Sequence, residues 1–174
     1  VLVGGIDLSV GSVVLASATL SGIALVLGVD PFVALLAGIA IGAAVGAANA
    51  VLIEGLHISP IIVTLGSMIA VRGLSLLALG RFNSWVEIKG SVFDALARAS
   101  VLGIPLDAIV ALAVAALVWF VLARTTLGRA WHAIGDAPVA ARLAGLPVAR
   151  LRAIAYIACG ALAGLAGTLV AART

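Results

Sequence analysis

This sequence carries very little charge. Acidic and basic residues make up 10% of it and hydrophobic residues 64%, whereas a soluble globular domain is about one quarter charged. A chain this poor in charge cannot present a water-compatible surface, which excludes a soluble enzyme or a soluble binding module. The net charge is +3, but the basic excess is nearly all arginine, and Lys89 is the only lysine. The arginines gather in one connection between apolar runs. That is the positive-inside pattern of a membrane protein, and no nucleic-acid partner is expected.

Cysteine is nearly absent as well. Cys159 stands alone inside an apolar segment, so the chain has no disulfide framework and no thiolate cluster of its own. His57 and His132 lack Cys or carboxylate partners at ligand spacing and read as interfacial or surface histidines, so no metal site is expected. There is no G-x-x-x-x-G-K-[ST] loop to cradle a nucleotide. The serines lack a Ser-His-Asp set. Neither a catalytic residue nor a cofactor is expected.

What the sequence does have is long apolar runs. Five windows (10–29, 32–53, 61–79, 106–123 and 153–172) each hold about the twenty residues that cross a bilayer core as a helix. The fold class is therefore all-α, a multi-pass transmembrane helix bundle. The chain opens on Val1-Leu2-Val3 rather than Met and stops at Thr174 straight after an apolar run, so it is expected to be a fragment. Asp30-Pro31 makes a tight turn between the first two windows. The mixed stretch 80–105 has room for a short surface helix, and its Phe82 and Trp85 suit a membrane interface. The connection 124–152 holds Arg124, Arg129, Arg142, Arg150 and Arg152 against Asp136 alone, which assigns it to the cytoplasm.

The polar residues near the apolar runs are the candidate site. Gly4-Gly5-Ile6-Asp7-Leu8-Ser9-Val10-Gly11-Ser12 puts a carboxylate, two serines and three glycines beside a hydrophobic helix. An intramembrane acid is costly and calls for a structural or functional reason. Irregular backbone at membrane depth is tolerated only where protein or a water-filled cavity covers it. A broken helix near this motif, next to a transport pathway, follows. Asp7, Ser9, Asn49, Thr64, Ser67 and Arg72 are the pathway or gating candidates. Asp7 reads first as the cap of a helix that starts near Leu8, which is compatible with a pathway role. Arg72 needs an anion, a carbonyl or water, which makes an Asp7–Arg72 pair a candidate.

Small residues set the packing. Ala34, Gly38, Gly42, Gly46 and Ala50 recur every four residues, and Gly160 and Gly164 form a second such pair. These stripes allow backbones to approach closely, within one chain or across a homodimer. In the arginine-rich connection, Asp136 reads as the cap of a short helix with Pro138 in its first turn. Ala140, Ala141 and Arg142 continue this helix and Gly145 ends it. Such a helix is a docking element; the plain alternative is a solvated connector.

Taken together, these motifs resemble the permease subunits of ribose-type (monosaccharide) ABC importers. The resemblance rests on the opening Gly-Gly-Ile-Asp-Leu-Ser-Val-Gly-Ser and on Ser59-Pro60-Ile61-Ile62-Val63-Thr64-Leu65-Gly66-Ser67 with Arg72-Gly73. It also rests on the run from Arg124-Thr125-Thr126-Leu127-Gly128-Arg129 to Gly135, and on Ala140-Ala141-Arg142-Leu143-Ala144-Gly145. It implies a single permease domain over 1–174, with a coupling helix in a cytoplasmic loop at 124–152. It also implies a bacterial inner (plasma) membrane location, a separate ATP-binding subunit, an extracytoplasmic solute-binding protein and a second permease copy as a homodimer. The solute would be a sugar or a sugar-like molecule. A permease for nucleosides or branched-chain amino acids is the nearest alternative. An ion-coupled secondary transporter is the alternative of another class, and it would call for more buried acids.

Overall fold

The computed structural model describes residues 3–81, 100–101 and 103–171. The helices are α1 (Val10–Val26), α2 (Pro31–Ala50), α3 (Pro60–Arg81), α4 (Leu106–Arg124), α5 (Thr126–Asp136), α6 (Pro138–Leu143) and α7 (Val148–Ala171). A π-helical turn, Val51–Gly55, extends α2. Two short strands, β1 (Ser100–Val101) and β2 (Ile104–Pro105), form an antiparallel pair before α4. The expected surface helix, with Phe82 and Trp85, lies outside the described residues.

Among the described residues, four helices are long and apolar enough to cross a membrane: α2 with its π turn, α3, α4 and α7. The first window gives a shorter helix. α1 has 17 residues, and the irregular residues 3–9 lead into it. Among the described residues, the opening motif is a non-helical entry to α1.

The turn from α1 to α2 follows from local chemistry. Gly28 takes a left-handed conformation at φ +78°, and the amides of Gly28 and Val29 bond back to Leu25 O and Ala24 O at 3.0 and 2.9 Å. This closes α1 with a Schellman cap. Asp30 then caps α2, its Oδ1 accepting from Phe32 N at 2.9 Å and Val33 N at 3.3 Å. Pro31 occupies the first helical position, where no amide donor is needed.

Helix packing places α2 antiparallel to α1 and α7. Ser17 Oγ donates to Gly38 O at 2.9 Å, and Ser21 Oγ donates to Ala34 O at 3.1 Å. The stripe of Gly38, Gly42 and Gly46 descends α2 while its contacts climb α7 in reverse, from Thr168 through Gly164 and Gly160 to Tyr156. A Cβ on Gly42 would strike Gly160 O, and one on Gly160 would strike Gly42 O. These two backbones are as close as the chain allows. Lipid offers helices no hydrophobic drive to associate, so close van der Waals contact and interhelical hydrogen bonds supply the adhesion. α4 buries none of its residues and turns directly into α5.

The arginine-rich connection differs from a loop with one short helix. It holds two helices, α5 and α6, and α7 begins at Val148, so Arg150 and Arg152 belong to a spanning helix. α5 packs back on the bundle: Ile134 is fully buried, and Trp131 Nε1 donates to Leu151 O at 2.8 Å.

The seam predicts a sharp contrast between glycines. Gly42→Val should lower stability by about 1–3 kcal/mol or more, because overpacking against backbone cannot be relieved by a rotamer change. Gly22, whose added Cβ would meet nothing within 4 Å, should accept alanine with no loss. Thermal unfolding of the two variants in detergent reads the difference.

Candidate functional site

The opening motif becomes a polar node where α1, α2, α3 and α7 meet. Asp7 Oδ1 accepts from Ser9 N at 2.9 Å and from Ser9 Oγ at 2.6 Å. Ser9 Oγ accepts in turn from Asn49 Nδ2 of α2 at 3.0 Å. On the other flank, Thr64 Oγ1 of α3 lies within donating reach of Pro60 O at 2.8 Å and Ile6 O at 3.2 Å. Ser67 Oγ donates to Thr64 O at 3.1 Å, within α3. Ser9, Asn49 and Thr64 are almost wholly buried, at 1%, 1% and 0% exposure, whereas Asp7 is half-buried. The Tyr156 hydroxyl of α7 sits against Gly5, leaving no room for a side chain there. Two buried atoms around this node, Asn49 Oδ1 and Tyr156 OH, have no hydrogen-bond partner among the described residues.

Asp7 does not cap α1. The N-cap position belongs to Ser9, and no side chain makes a capping bond at the start of α1. The carboxylate instead folds the lead-in through a bond two residues ahead, an Asx-type turn. Its effect is to orient the Ser9 hydroxyl, with its hydrogen toward Asp7 and a lone pair toward Asn49. The node is thus a chain from carboxylate to hydroxyl to amide.

Arg72 stands apart from it. Arg72 is exposed and forms no ion pair with Asp7. It lies eight residues beyond Thr64, about 80° round the helix from the face that carries the node. The pairing fails on helical geometry, and Arg72 faces what lies outside α3.

An ion-paired tie lies beneath the node. Arg152 Nε donates to Val3 O at 3.0 Å, and its Nη1 lies 3.5 Å from Glu54 Oε1. One guanidinium thus joins the start of α7, the end of α2 and the N-terminal lead-in. Sequence reasoning had no signal for this, because the partners are 98 and 149 residues away.

The second candidate element is α6. Asp136 ends α5 and does not cap α6, whose N-cap is Ala137 with no side-chain bond. Pro138 opens the helix. Gly145, at φ +84°, closes it, with Gly145 N bonded to Arg142 O at 3.0 Å and Leu146 N to Ala141 O at 3.1 Å. Ala141 is buried with Val3, Ile134 and Val148. Ala140 and Arg142 are exposed. The most prominent residues are two that sequence reasoning missed, Val139 at 73% and Leu143 at 86% exposure. Their spacing of four, which places both on one face of a short helix, was the available signal.

A bundle of span-length helices with an ordered helix pair between two spans defines a multi-pass membrane protein. The family model described as the branched-chain amino acid transport system / permease component matches residues 1–174. The chain belongs to this family, and its place is the bacterial inner (plasma) membrane. It is 38% identical to the D-allose transport system permease protein AlsC of Escherichia coli, over 99% of this chain and 53% of that protein. It is 36% identical to the ribose import permease protein RbsC of Bacillus subtilis, over 99% of this chain and 54% of that protein. It is 39% identical to the autoinducer 2 import system permease protein LsrC of an Enterobacter, over 99% of this chain and 50% of that protein. The chain spans about half the length of the curated relatives it matches. No solved structure matches it.

The node predicts coupling between its members. Ser9→Ala removes the donor to Asp7 and leaves the Asn49 amide unpaired, which should cost about 1–3 kcal/mol. Asp7→Asn keeps an oxygen acceptor and should cost less than Asp7→Ala. The Asp7→Ala, Ser9→Ala double variant should be less destabilised than the sum of its singles. Thermal unfolding in detergent of all four proteins checks this.

Proposed function

We propose that this chain is part of the transmembrane permease subunit of an ATP-driven importer that moves a sugar or sugar-like solute inward. The observation that carries the reading is the similarity, along 99% of the chain, to permease proteins for D-allose, ribose and autoinducer 2. ATP hydrolysis falls to a separate ATP-binding subunit. A solute-binding protein on the outer side and a second permease copy, in a homodimer, complete the machine. The description of the family model also names branched-chain amino acids, which keeps an amino-acid permease as the second reading. Uptake of labelled ribose, allose and leucine by the assembled transporter discriminates between the two.

In this reading α6 is the coupling helix. Val139, Arg142 and Leu143 present its outer face to the ATP-binding subunit, and Ala140 borders them. Ala141 faces the other way, into the cluster with Val3 and Val148. Motion of α6 therefore reaches residues 3–9 through direct packing, and the node of Asp7, Ser9, Asn49 and Thr64 is the gating element it acts on. Ser67 and Arg72 lie further along α3 as pathway candidates. Positive charge on Arg124, Arg129, Arg142, Arg150 and Arg152 holds this end in the cytoplasm.

Two outcomes test the arrangement. A cysteine at Ala137 should react only with reagent supplied from the cytoplasm; reaction in sealed cells with an impermeant reagent would reverse the orientation. Leu143→Asp should cut co-purification of the ATP-binding subunit at least tenfold while insertion stays normal, as expected when an apolar anchor is lost. Ala141→Trp, by contrast, should lower the stability of the permease itself. Wild-type co-purification and uptake with Leu143→Asp would remove α6 from the coupling path.

A further inference from the structure

The end of the bundle that carries Arg152 holds a cleft of about 670 Å³. Glu54, His57 and Ser59, between α2 and α3, wall one side, and Arg142, Arg150 and Arg152 wall the other. Arg152 is committed to Glu54 and Val3 O. Arg142 and Arg150 are exposed and have no carboxylate partner among the described residues. The cleft therefore keeps Arg150 uncommitted, with Arg142 at its border, on the helix read above as the docking element. Its floor is apolar, formed in part by Ile58 and Leu146. Pro60 and Val148, the first residues of α3 and α7, also line it, which adds two positive helix ends to the field of the arginines.

We infer that this cleft binds the phosphate of an anionic lipid headgroup. Guanidinium forks match phosphate oxygens in geometry and charge. The cleft opens at the ends of span-length helices, and basic pockets between such helices on the cytoplasmic side take anionic lipids. Its mixed lining suits an amphiphile, with cations for the phosphate and apolar floor for the glycerol and upper acyl carbons. A protein partner has a different landing place: the convex α6, with Val139 and Leu143 exposed. The cleft is a notch, sized for a headgroup. His57, at φ +56°, makes the turn that brings the α2–α3 connection to face the arginines.

The test uses the full protein purified in detergent, with phosphatidylglycerol as the probe and native mass spectrometry as the readout. Phosphatidylcholine and inorganic phosphate are the comparison ligands. Arg150→Gln removes one uncommitted charge without touching the Glu54–Arg152 tie, and should weaken phosphatidylglycerol binding about fivefold. Ala149→Trp adds bulk to the cleft lining at unchanged charge, and should weaken binding at least as much. Circular dichroism and gel filtration of both variants should match wild type, and neither variant should alter the retention of phosphatidylcholine. Unchanged phosphatidylglycerol affinity in both variants overturns the proposal. Inorganic phosphate that binds as tightly as the lipid overturns the lipid assignment in favour of a soluble anion. Loss of the ATP-binding subunit from both variants, with lipid binding intact, overturns it in favour of a protein-docking surface.

Discussion

Backbone-to-backbone contact between α2 and α7 is the constraint on which the rest of this structure depends. In water, helices are pressed together by the exclusion of apolar surface. In lipid that pressure is absent, and what remains is dispersion at close range and hydrogen bonds that have no water to compete with. The chain answers with glycine at Gly42, Gly46, Gly160 and Gly164, each placed where a Cβ would strike the opposite main chain. α1 is then laid against this pair. Gly167 admits Val14 and Ser17 of α1, and the serine hydroxyls bond to α2 carbonyls. α3 packs against α1 and is tied to its lead-in by Thr64, which bonds to the carbonyl of Ile6.

The polar node and the α5–α6 platform share one connection. Val3 sits in the same apolar cluster as Ile134, Ala141 and Val148, and its carbonyl is held by Arg152. Six residues later in the chain is Ser9, the centre of the node. If α6 is the coupling helix proposed above, its displacement would pass by packing, and by the guanidinium that holds Val3, to the lead-in of α1, with no long loop to absorb it. Stiff transmission of this kind needs elements with few alternative packings, and buried Ala141 and Ile134 provide them.

Apolar length made most of the fold legible. α2, α3, α4 and α7 were readable because about twenty apolar residues have few other uses. The α1–α2 hairpin was readable because Asp30-Pro31 satisfies the helix N-terminus in a way other residues do less well. Three features were not legible. α5 is an amphipathic helix outside the membrane core, with Leu127, Trp131 and Ile134 at helical spacing, hidden inside a connection read by its charge. Asp136 looked like a cap because acid followed by proline often is one, but the preceding helix extends through it. Arg72 looked like a partner for Asp7 because depth along the sequence says nothing about rotation around a helix. The node itself was half legible: the residue types were readable, whereas the order of the hydrogen bonds required Ser9 and Asn49 to meet across 40 positions.

The glycine seam has a property that comes from its period. Gly38, Gly42 and Gly46 repeat every four residues, and so do Gly160 and Gly164, and so do Ser17 and Ser21 against Gly38 and Ala34. A slip of one helical turn, about 5.4 Å, would lay small residue over small residue again and offer each serine another carbonyl. A seam built this way has no address of its own; it fits itself at more than one setting. The setting is written at one end, where nothing repeats: the Glu54–Arg152 pair and the Ser9–Asn49 bond each occur once and cannot be satisfied one turn away.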